Sequence, residues 1–140
     1  MKYFLPLLIL LINHNVFSQR GSVVVRVEGV RQDKGGEIYA ALFTEDHFPI
    51  TGKHILGAEA CGNSPTVRLA FSAVPAGWYG IAVFQDVDGN KQLSTNLIGY
   101  PREPFGFSND ARPKLGPPSF SEARFWVGNE GETSLTVRLR

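Results

Sequence analysis

Oxygen-bearing side chains recur at alternate positions in the segment that begins at residue 86. The residues that we predict as cation ligands are Asp86, Asp88, Asn90, Gln92 and Ser94. Alternate oxygens converge when a chain coils around a hard cation, and EF-hand-like loops supply them at this spacing to calcium, which takes about six to eight oxygens. The pattern makes calcium the candidate cofactor of this loop, with Gln92 contributing its backbone carbonyl oxygen.

The same segment departs from a complete calcium loop. Its twelfth position, where a bidentate glutamate is usual, is Leu97, and Gly89 does not stand at the usual glycine position. A remote acid, Glu103 or Asp110, would have to complete the ligand shell. The alternative is a turn without metal, because Asp, Asn and Gly dominate turns. If calcium binds, we expect it to clamp the long loop that follows.

Histidine and cysteine residues are too few to predict a catalytic set. Cys61 is the only cysteine, and His47 and His54 lie in the same irregular segment, residues 45–63. No G-x-S-x-G motif accompanies them, so we interpret the histidines as solvated and Cys61 as a small buried hydrophobic residue. Two alternatives stay open. One is a reactive or intermolecularly paired Cys61; the other is a small secreted hydrolase that uses Cys61 or carboxylates of the 86–120 loop.

Aromatic and proline residues are concentrated between residues 100 and 120. They could present a rigid apolar surface, since loops at the ends of a sandwich commonly bind ligands. The opposite interpretation is that the rings pack beneath the loop as a satellite of the core, because a loop of about thirty residues must bury something to stay ordered. The candidate ligand-binding residues are Arg102, Glu103, Phe105, Phe107, Asn109 and Phe120.

Short β-rich runs bounded by Gly, Pro, Asn and Asp must position these residues. In residues 22–30, valine alternates with more polar neighbours, which is the two-residue period of a strand with one buried face. Residues 78–85 are almost wholly apolar, which predicts a central strand buried on both faces. Residues 122–127 and 133–139 are predicted to pair with each other at the end of the chain.

The spacing of these runs predicts the fold class. About six clear strands follow one another at intervals of roughly ten residues, and a further edge strand is expected within residues 45–63. This pattern is typical of an all-β protein. We predict a single antiparallel two-sheet sandwich, Ig-like or transthyretin-like, with about seven strands and a long irregular loop over residues 86–119.

The first residues have the order of a secretory signal. Lys2 precedes an apolar run at residues 4–12, which is too short to span a membrane, and small or aliphatic residues precede Gln19. We predict a signal peptide at 1–18 and one domain at 19–140, with no transmembrane segment after cleavage; the alternative is an uncleaved anchor. Losing Lys2 balances the 14 basic and 13 acidic residues, which argues against a nucleic-acid partner.

Several segments, in order along the chain, resemble those of a known family. Residues 75–83 resemble the P-x-G-x-Y strand of transthyretin-like and carboxypeptidase-regulatory-like sandwiches, and residues 86–93 (DVDGNKQL), 99–109 (GYPREPFGFSN) and 117–123 (PPSFSEA) follow. Together they resemble the exported bacterial family called domain of unknown function 2141, which has no assigned activity. The resemblance implies a sandwich fold and export. Family members often carry an acidic D-x-N-x-N-G-x-x-D loop, from which this chain departs at Lys91 and Ser94.

These observations predict an exported, non-enzymatic protein, periplasmic or extracellular, that binds a peptide, a glycan or another envelope component through its 86–120 face. An assembly protein of the cell envelope is a further alternative. Calcium is the candidate structural ion if the loop after residue 86 holds a metal, and a metal-free turn is the alternative.

Overall fold

Eight β-strands and one short α-helix form the part of the chain that the computed structural model describes, residues 19–92 and 102–140. The predicted signal peptide, residues 1–18, lies outside this part. The strands are β1 (Gly21–Glu28), β2 (Glu37–Phe43), β3 (Leu56–Cys61), β4 (Thr66–Val74), β5 (Gly77–Asp86), β6 (Phe105–Phe107), β7 (Phe125–Val127) and β8 (Glu132–Arg138); the helix is α1 (Phe120–Ala123).

The strands form two sheets packed face to face, which confirms the predicted all-β two-sheet sandwich. One sheet has the order β4-β1-β8, and the other has the order β3-β2-β5-β6, with β7 also pairing with β5. The pairs are antiparallel except β1 with β8, which run parallel. That parallel pair is a feature that the antiparallel expectation did not include. The Ig-like or transthyretin-like assignment stays a prediction.

The prediction that the last two strands pair with each other is wrong. Strand β7 pairs with β5 in one sheet, whereas β8 pairs with β1 in the other. The connection from Gly128 to Gly131 therefore crosses between the sheets. Its backbone contacts β1, because Ser22 N donates a hydrogen bond to the Gly131 carbonyl oxygen at 3.0 Å. Tertiary packing decides this crossing, because both strands bury apolar side chains in the core, Val127 from β7 and Val137 from β8.

Alternating side chains from both sheets build one apolar core. In β1, Val23, Val25 and Val27 are fully buried while Arg26 is exposed, as the two-residue period predicts. The buried apolar residues that pack together are Val23, Val25, Val27, Val30, Ile38, Ala40, Leu42, Leu69, Phe71, Val74, Tyr79, Ile81, Val83, Val127, Val137 and Leu139. Their removal from water supplies the main driving force for folding.

Strand β5 is the central strand that its apolar sequence predicts. It pairs with β2 on one side and with β6 and β7 on the other. Burial on both faces holds only for part of it, because Trp78 is 47% exposed and Ala82 and Phe84 are half-buried. The strand ends in Gln85 and Asp86, which are both buried, so its carboxyl end brings polar groups into the interior.

The predicted irregular segments contain more order than expected. Within residues 45–63 the expected edge strand is β3. Within the predicted long loop, β6 pairs with β5, and a 3-10 turn follows at Ser108–Asp110. Ser119 and Glu122 form a capping box at the start of α1, which satisfies backbone donors there. No helix in the described ranges is long and apolar enough to cross a membrane.

Candidate cation site and ligand-binding face

Three carboxylates meet where β5 ends. Asp86 and Asp88 come from the end of β5 and the turn after it, and Glu103 comes from the residues just before β6. One carboxylate oxygen from each lies within 4.8 Å of the other two. Ligand oxygens on opposite sides of a calcium ion are about 4.8 Å apart, since calcium–oxygen distances are about 2.3–2.6 Å. All three oxygens therefore fit within the coordination sphere of one ion.

Backbone N–H groups hold these carboxylates in place. Glu103 Oε1 accepts hydrogen bonds from Val87 N at 3.0 Å and Asp88 N at 3.2 Å. Asp86 Oδ2 accepts one from Lys91 N at 2.8 Å, and Asp88 Oδ1 accepts one from Asn90 N at 3.1 Å. The side chains are thus oriented by the chain itself, so the geometry does not depend on a bound ion to assemble it.

One oxygen of the Asp86 carboxylate is buried without a hydrogen-bond donor from the described residues. Asp86 is only 3% exposed, and its Oδ1 accepts no hydrogen bond from the part of the chain that the structure describes. A buried carboxylate oxygen without a partner is costly, and it is normally offset by a hydrogen-bond donor, an opposite charge or a metal. Carboxylate oxygens are hard ligands, so this donor set fits calcium or magnesium.

The structure brings two of the predicted ligands together. Asp86 and Asp88 lie in the cluster, and Glu103 is the remote acid that joins them. Asn90 Oδ1 accepts a hydrogen bond from Gln92 N at 2.9 Å, as in the turn that was the alternative interpretation. Ser94 lies outside the described residues.

Asp110, the other remote acid considered, belongs to a different group of charges. Its carboxylate accepts hydrogen bonds from Arg140 at 3.0 Å and Arg112 at 3.1 Å. The hydrogen bond from Arg140 is the main cause that lowers the pKa of Asp110 below its ordinary value, and the bond from Arg112 acts in the same direction, while desolvation opposes both. Asp110 is therefore a surface ion-pair residue.

A small cleft of about 270 Å³ opens beside the carboxylates. Two acids of the cluster, three basic residues and two apolar residues line it, namely Asp88, Glu103, Arg31, Lys34, Arg102, Val87 and Pro104. Sequence reasoning selected Arg102 but missed the other two basic residues, because they lie more than fifty positions before Asp88 in the chain. No local sequence signal identifies them. Their place beside the cluster follows only from the contact between the turn at Gln32–Lys34 and the end of β5.

The predicted aromatic surface is largely interior. Phe105 is 6% exposed and Phe107 is 8% exposed, which corrects the idea that they project from a loop to meet a ligand. The ring of Phe48 makes edge-to-face contacts with Phe43, Phe107 and Phe120, with centroid separations of 5.7 to 6.0 Å. This is the satellite cluster that was the opposite interpretation, and Phe120, which is half-buried, belongs to it.

Asn109 has a structural role in the described chain. Its side-chain amide donates hydrogen bonds to the carbonyl oxygens of Glu122 at 3.3 Å and Arg124 at 2.7 Å. Its φ of 58° is in the left-handed region, which asparagine tolerates better than most residues. The amide thereby ties the turn at Ser108–Asp110 to the end of α1.

A larger groove lies on the outer face of the β3-β2-β5-β6 sheet. Among the described residues its volume is about 1060 Å³. It is lined by the stacked rings of Tyr39 and Phe84, with centroids 5.5 Å apart, and by Phe105 and Phe107. The segment from Pro113 to Pro117 lines it as well. Two of the predicted ligand-binding residues thus contribute to a concave surface despite their low exposure.

The prediction of a buried Cys61 is wrong. Cys61 is exposed at the end of the edge strand β3, because residues on an edge strand alternate between half-buried and exposed there. His54 packs its ring against Phe43, with centroids 6.1 Å apart. Within the described ranges no hydrogen bond joins Cys61 to His47 or His54.

Comparison with known proteins gives one match. A family model described as an uncharacterized protein conserved in bacteria, domain of unknown function 2141, matches residues 25–136. The matched span runs from within β1 to within β8, so it includes all three carboxylates of the cluster. No significant match was found among curated proteins or among solved structures.

Proposed function

Because this chain belongs to the bacterial family called domain of unknown function 2141, whose description assigns no reaction, we propose its role from the site. We propose that it is an exported, non-enzymatic binding module whose 86–120 region is fixed by a structural divalent cation, with calcium as the favoured ion. Its partner is a peptide, a glycan or another component of the cell envelope.

The observation that carries the cation proposal is the unpartnered Asp86 Oδ1. It is buried, it belongs to a cluster of three carboxylates, and the cluster is preorganised by backbone N–H groups. A hydrogen bond from a neutral donor would satisfy one oxygen only, whereas a divalent cation would satisfy all three carboxylates at once. The cation would link the end of β5 to the residues before β6.

Calcium suits this arrangement better than a transition metal. The ligands are carboxylates, and no histidine or cysteine joins the cluster among the described residues. Calcium also tolerates irregular geometry and mixed ligands, and sites in extracellular modules bind it in the range of about 0.1 to 1 mM. Export to a periplasmic or extracellular compartment, as the first residues predict, would expose the site to such concentrations.

The groove on the β3-β2-β5-β6 sheet supports a binding role. Ligand sites are typically concave and mostly apolar with a few polar groups, and this groove combines Tyr39, Phe84, Phe105 and Phe107 with the basic side chains of Lys91 and Lys114. The cation would act at a distance from the groove by fixing β6, which contributes two of these rings.

Thermal melting in a chelator and in millimolar calcium or magnesium tests the cation proposal. A ligand held by the folded state alone at about 100 times its Kd stabilises that state by about 2.7 kcal/mol. For a domain of this size, such a stabilisation raises Tm by roughly 10 °C. We expect calcium to give this shift and magnesium to give less, because magnesium demands stricter octahedral geometry.

Asp86→Asn and Asp110→Asn form a matched pair of variants for this experiment. Asp86→Asn should lose the calcium shift, and in chelator it should melt no lower than the unchanged protein, because it buries no charge. Asp110→Asn should keep the calcium shift, because Asp110 lies with Arg112 and Arg140 instead. Equal melting with and without calcium in the unchanged protein would remove the cation from the proposal.

A further inference from the structure

Three basic side chains share the cleft beside the carboxylate cluster. Arg31, Lys34 and Arg102 line it together with Asp88 and Glu103. All three are exposed, and none of them makes a side-chain hydrogen bond or ion pair within the described ranges. Surface arginines elsewhere in the same part of the chain are engaged, as Arg138 is with Glu28 at 3.1 Å. The basic side chains of the cleft thus have donors to offer to a ligand.

The fold fixes two of these basic residues relative to the acids. Gln85 is fully buried, and its side-chain amide donates to the carbonyl oxygens of Arg31 at 2.8 Å and Gly35 at 2.7 Å. Its side-chain oxygen accepts from Arg31 N at 2.9 Å. Because Gln85 adjoins Asp86 in β5, one strand end holds both the acidic cluster and the basic turn.

Glycine at position 36 permits this close approach. A Cβ atom there would collide with the backbone carbonyl of Asp86, and its φ of 91° is one that side chains rarely adopt. The turn that carries Arg31 and Lys34 therefore lies directly against the end of β5. A side chain at this position would push the basic turn away from the carboxylates.

The charges of the cleft depend on the cation. Three carboxylates and three basic side chains cancel each other, so without a cation the cleft has no net attraction for an anion. A divalent cation leaves a net charge of +2 in this group. In addition, three carboxylates do not fill the about six to eight oxygen positions of calcium, so a ligand oxygen can complete its coordination.

We propose that this cleft binds an anionic headgroup, a carboxylate or a phosphate monoester, beside the cation and against Arg31, Lys34 and Arg102. The inference rests on the proposed cation and names the chemistry of what the site recognises. Binding of the anion and of calcium must then reinforce each other, because a coupling free energy between two sites is reciprocal. Arginine suits the planar or tetrahedral oxygens of such groups through paired N–H donors.

Titration calorimetry with three probes tests the inference. Benzoate and phenyl phosphate carry the two headgroups on the same ring, and benzyl alcohol is the neutral match. We expect at least one of the two anions to bind in millimolar calcium, and to bind roughly tenfold more weakly in buffer freed of metal by a chelating resin. The preferred probe identifies the headgroup. Benzyl alcohol should not bind.

Variants separate this inference from the cation proposal. Arg31→Gln and Arg102→Gln should each lower the affinity for the anionic probe by roughly tenfold, because each loses charged hydrogen bonds to it. Both variants should keep the calcium shift in Tm. Arg68→Gln, which alters an arginine of β4 that pairs with Glu132 at 3.7 Å, is the control and should change neither. A calcium shift without anion binding, or anion binding indifferent to Arg31, would overturn the inference alone; absence of the calcium shift would overturn both.

Discussion

Asp86 and Asp110 show how the same side chain takes on different chemistry in two environments. Asp110 is half-exposed and accepts hydrogen bonds from two arginines, so its charge is balanced by its neighbours. Asp86 is buried, and the described residues offer one of its oxygens only a backbone N–H and the other none. The first arrangement is complete by itself, whereas the second leaves a buried oxygen without a donor among the described residues, and this is why we propose a cation there.

Asp110 leads to a prediction about pH. Its folded pKa lies below its ordinary value of 3.8, chiefly through the hydrogen bond from Arg140. A group whose pKa is lowered on folding stabilises the folded state above its unfolded pKa, and this contribution is lost as pH falls through the folded pKa. Asp110→Asn should therefore be less stable than the unchanged protein at neutral pH, and the difference should vanish in acid.

Denaturant unfolding at several pH values checks this expectation. The effect at neutral pH should be below about 1 kcal/mol, because exposed ion pairs contribute little. Asp33→Asn is the control, since Asp33 makes no ion pair in the described part of the chain and its substitution should leave stability at neutral pH unchanged. A difference that grows towards acid pH would contradict the assignment.

Lys91, near the site, has a strained backbone conformation. Its φ of 60° lies in the left-handed region, where the similar family pattern has glycine. Lysine is strained there by roughly 1 kcal/mol. Its backbone N–H nevertheless reaches Asp86 Oδ2 at 2.8 Å, so this conformation is part of what orients the carboxylate.

At the scale of elements, Ser108 connects three parts of the fold. Its buried hydroxyl accepts a hydrogen bond from Ile81 N at 3.0 Å and donates one to the Ala123 carbonyl oxygen at 2.5 Å. It thereby joins the middle of β5, the 3-10 turn after β6 and the end of α1. The Ser108 hydroxyl thus helps to hold β6 and the turn after it against the core.

Ser108→Ala should destabilise the protein by about 2 to 3 kcal/mol. The substitution leaves a buried N–H and a buried carbonyl without their partner, and an unsatisfied buried group costs about 1–3 kcal/mol. Ser134→Ala, which removes an exposed hydroxyl bonded to Glu132 at 3.1 Å, should cost below about 0.5 kcal/mol. Denaturant unfolding measures both, and equal losses would show that the bridge does not hold these elements.

At the scale of the whole molecule, the first and last strands of the sandwich lie side by side. Strands β1 and β8 run parallel over seven residue pairs, from Ser22 with Glu132 to Glu28 with Arg138. This sheet is therefore complete only when β8, the last strand in the chain order, has paired with β1, the first. Because the described strands all follow residue 20, removal of residues 1–18 would leave each of them intact.

The first residues predict export of the whole chain. We expect the protein recovered from outside the cytoplasm to begin at Gln19, as intact mass and N-terminal sequencing would show. Leu8→Arg, which puts a charge into the apolar run, should block export, because arginine is unfavourable in a membrane-inserting segment. Leu8→Val should not. Recovery of a chain that still begins at Met1 would support the uncleaved anchor instead.

Local patterns explain why the strands and the two-sheet class could be predicted. The alternation of valines in β1 and the apolar run of β5 reflect burial of one or both faces, which each segment encodes by itself. Three of the candidate site residues, Asp86, Asp88 and Glu103, were also within reach, because the acidic spacing marked the loop and its incompleteness called for a remote acid. The interior position of Phe105 and Phe107 was one of two open interpretations.

The family, the all-β class and the segment for a hard cation could be predicted from the chain alone, because they follow from residue types and short spacings. The pairing of β8 with β1 could not be predicted in this way, nor could the contact of Glu103 rather than Asp110 with the two aspartates or the position of Arg31 and Lys34 beside them. These contacts join segments far apart in the chain, and their energy depends on how whole strands share one core rather than on any local pattern.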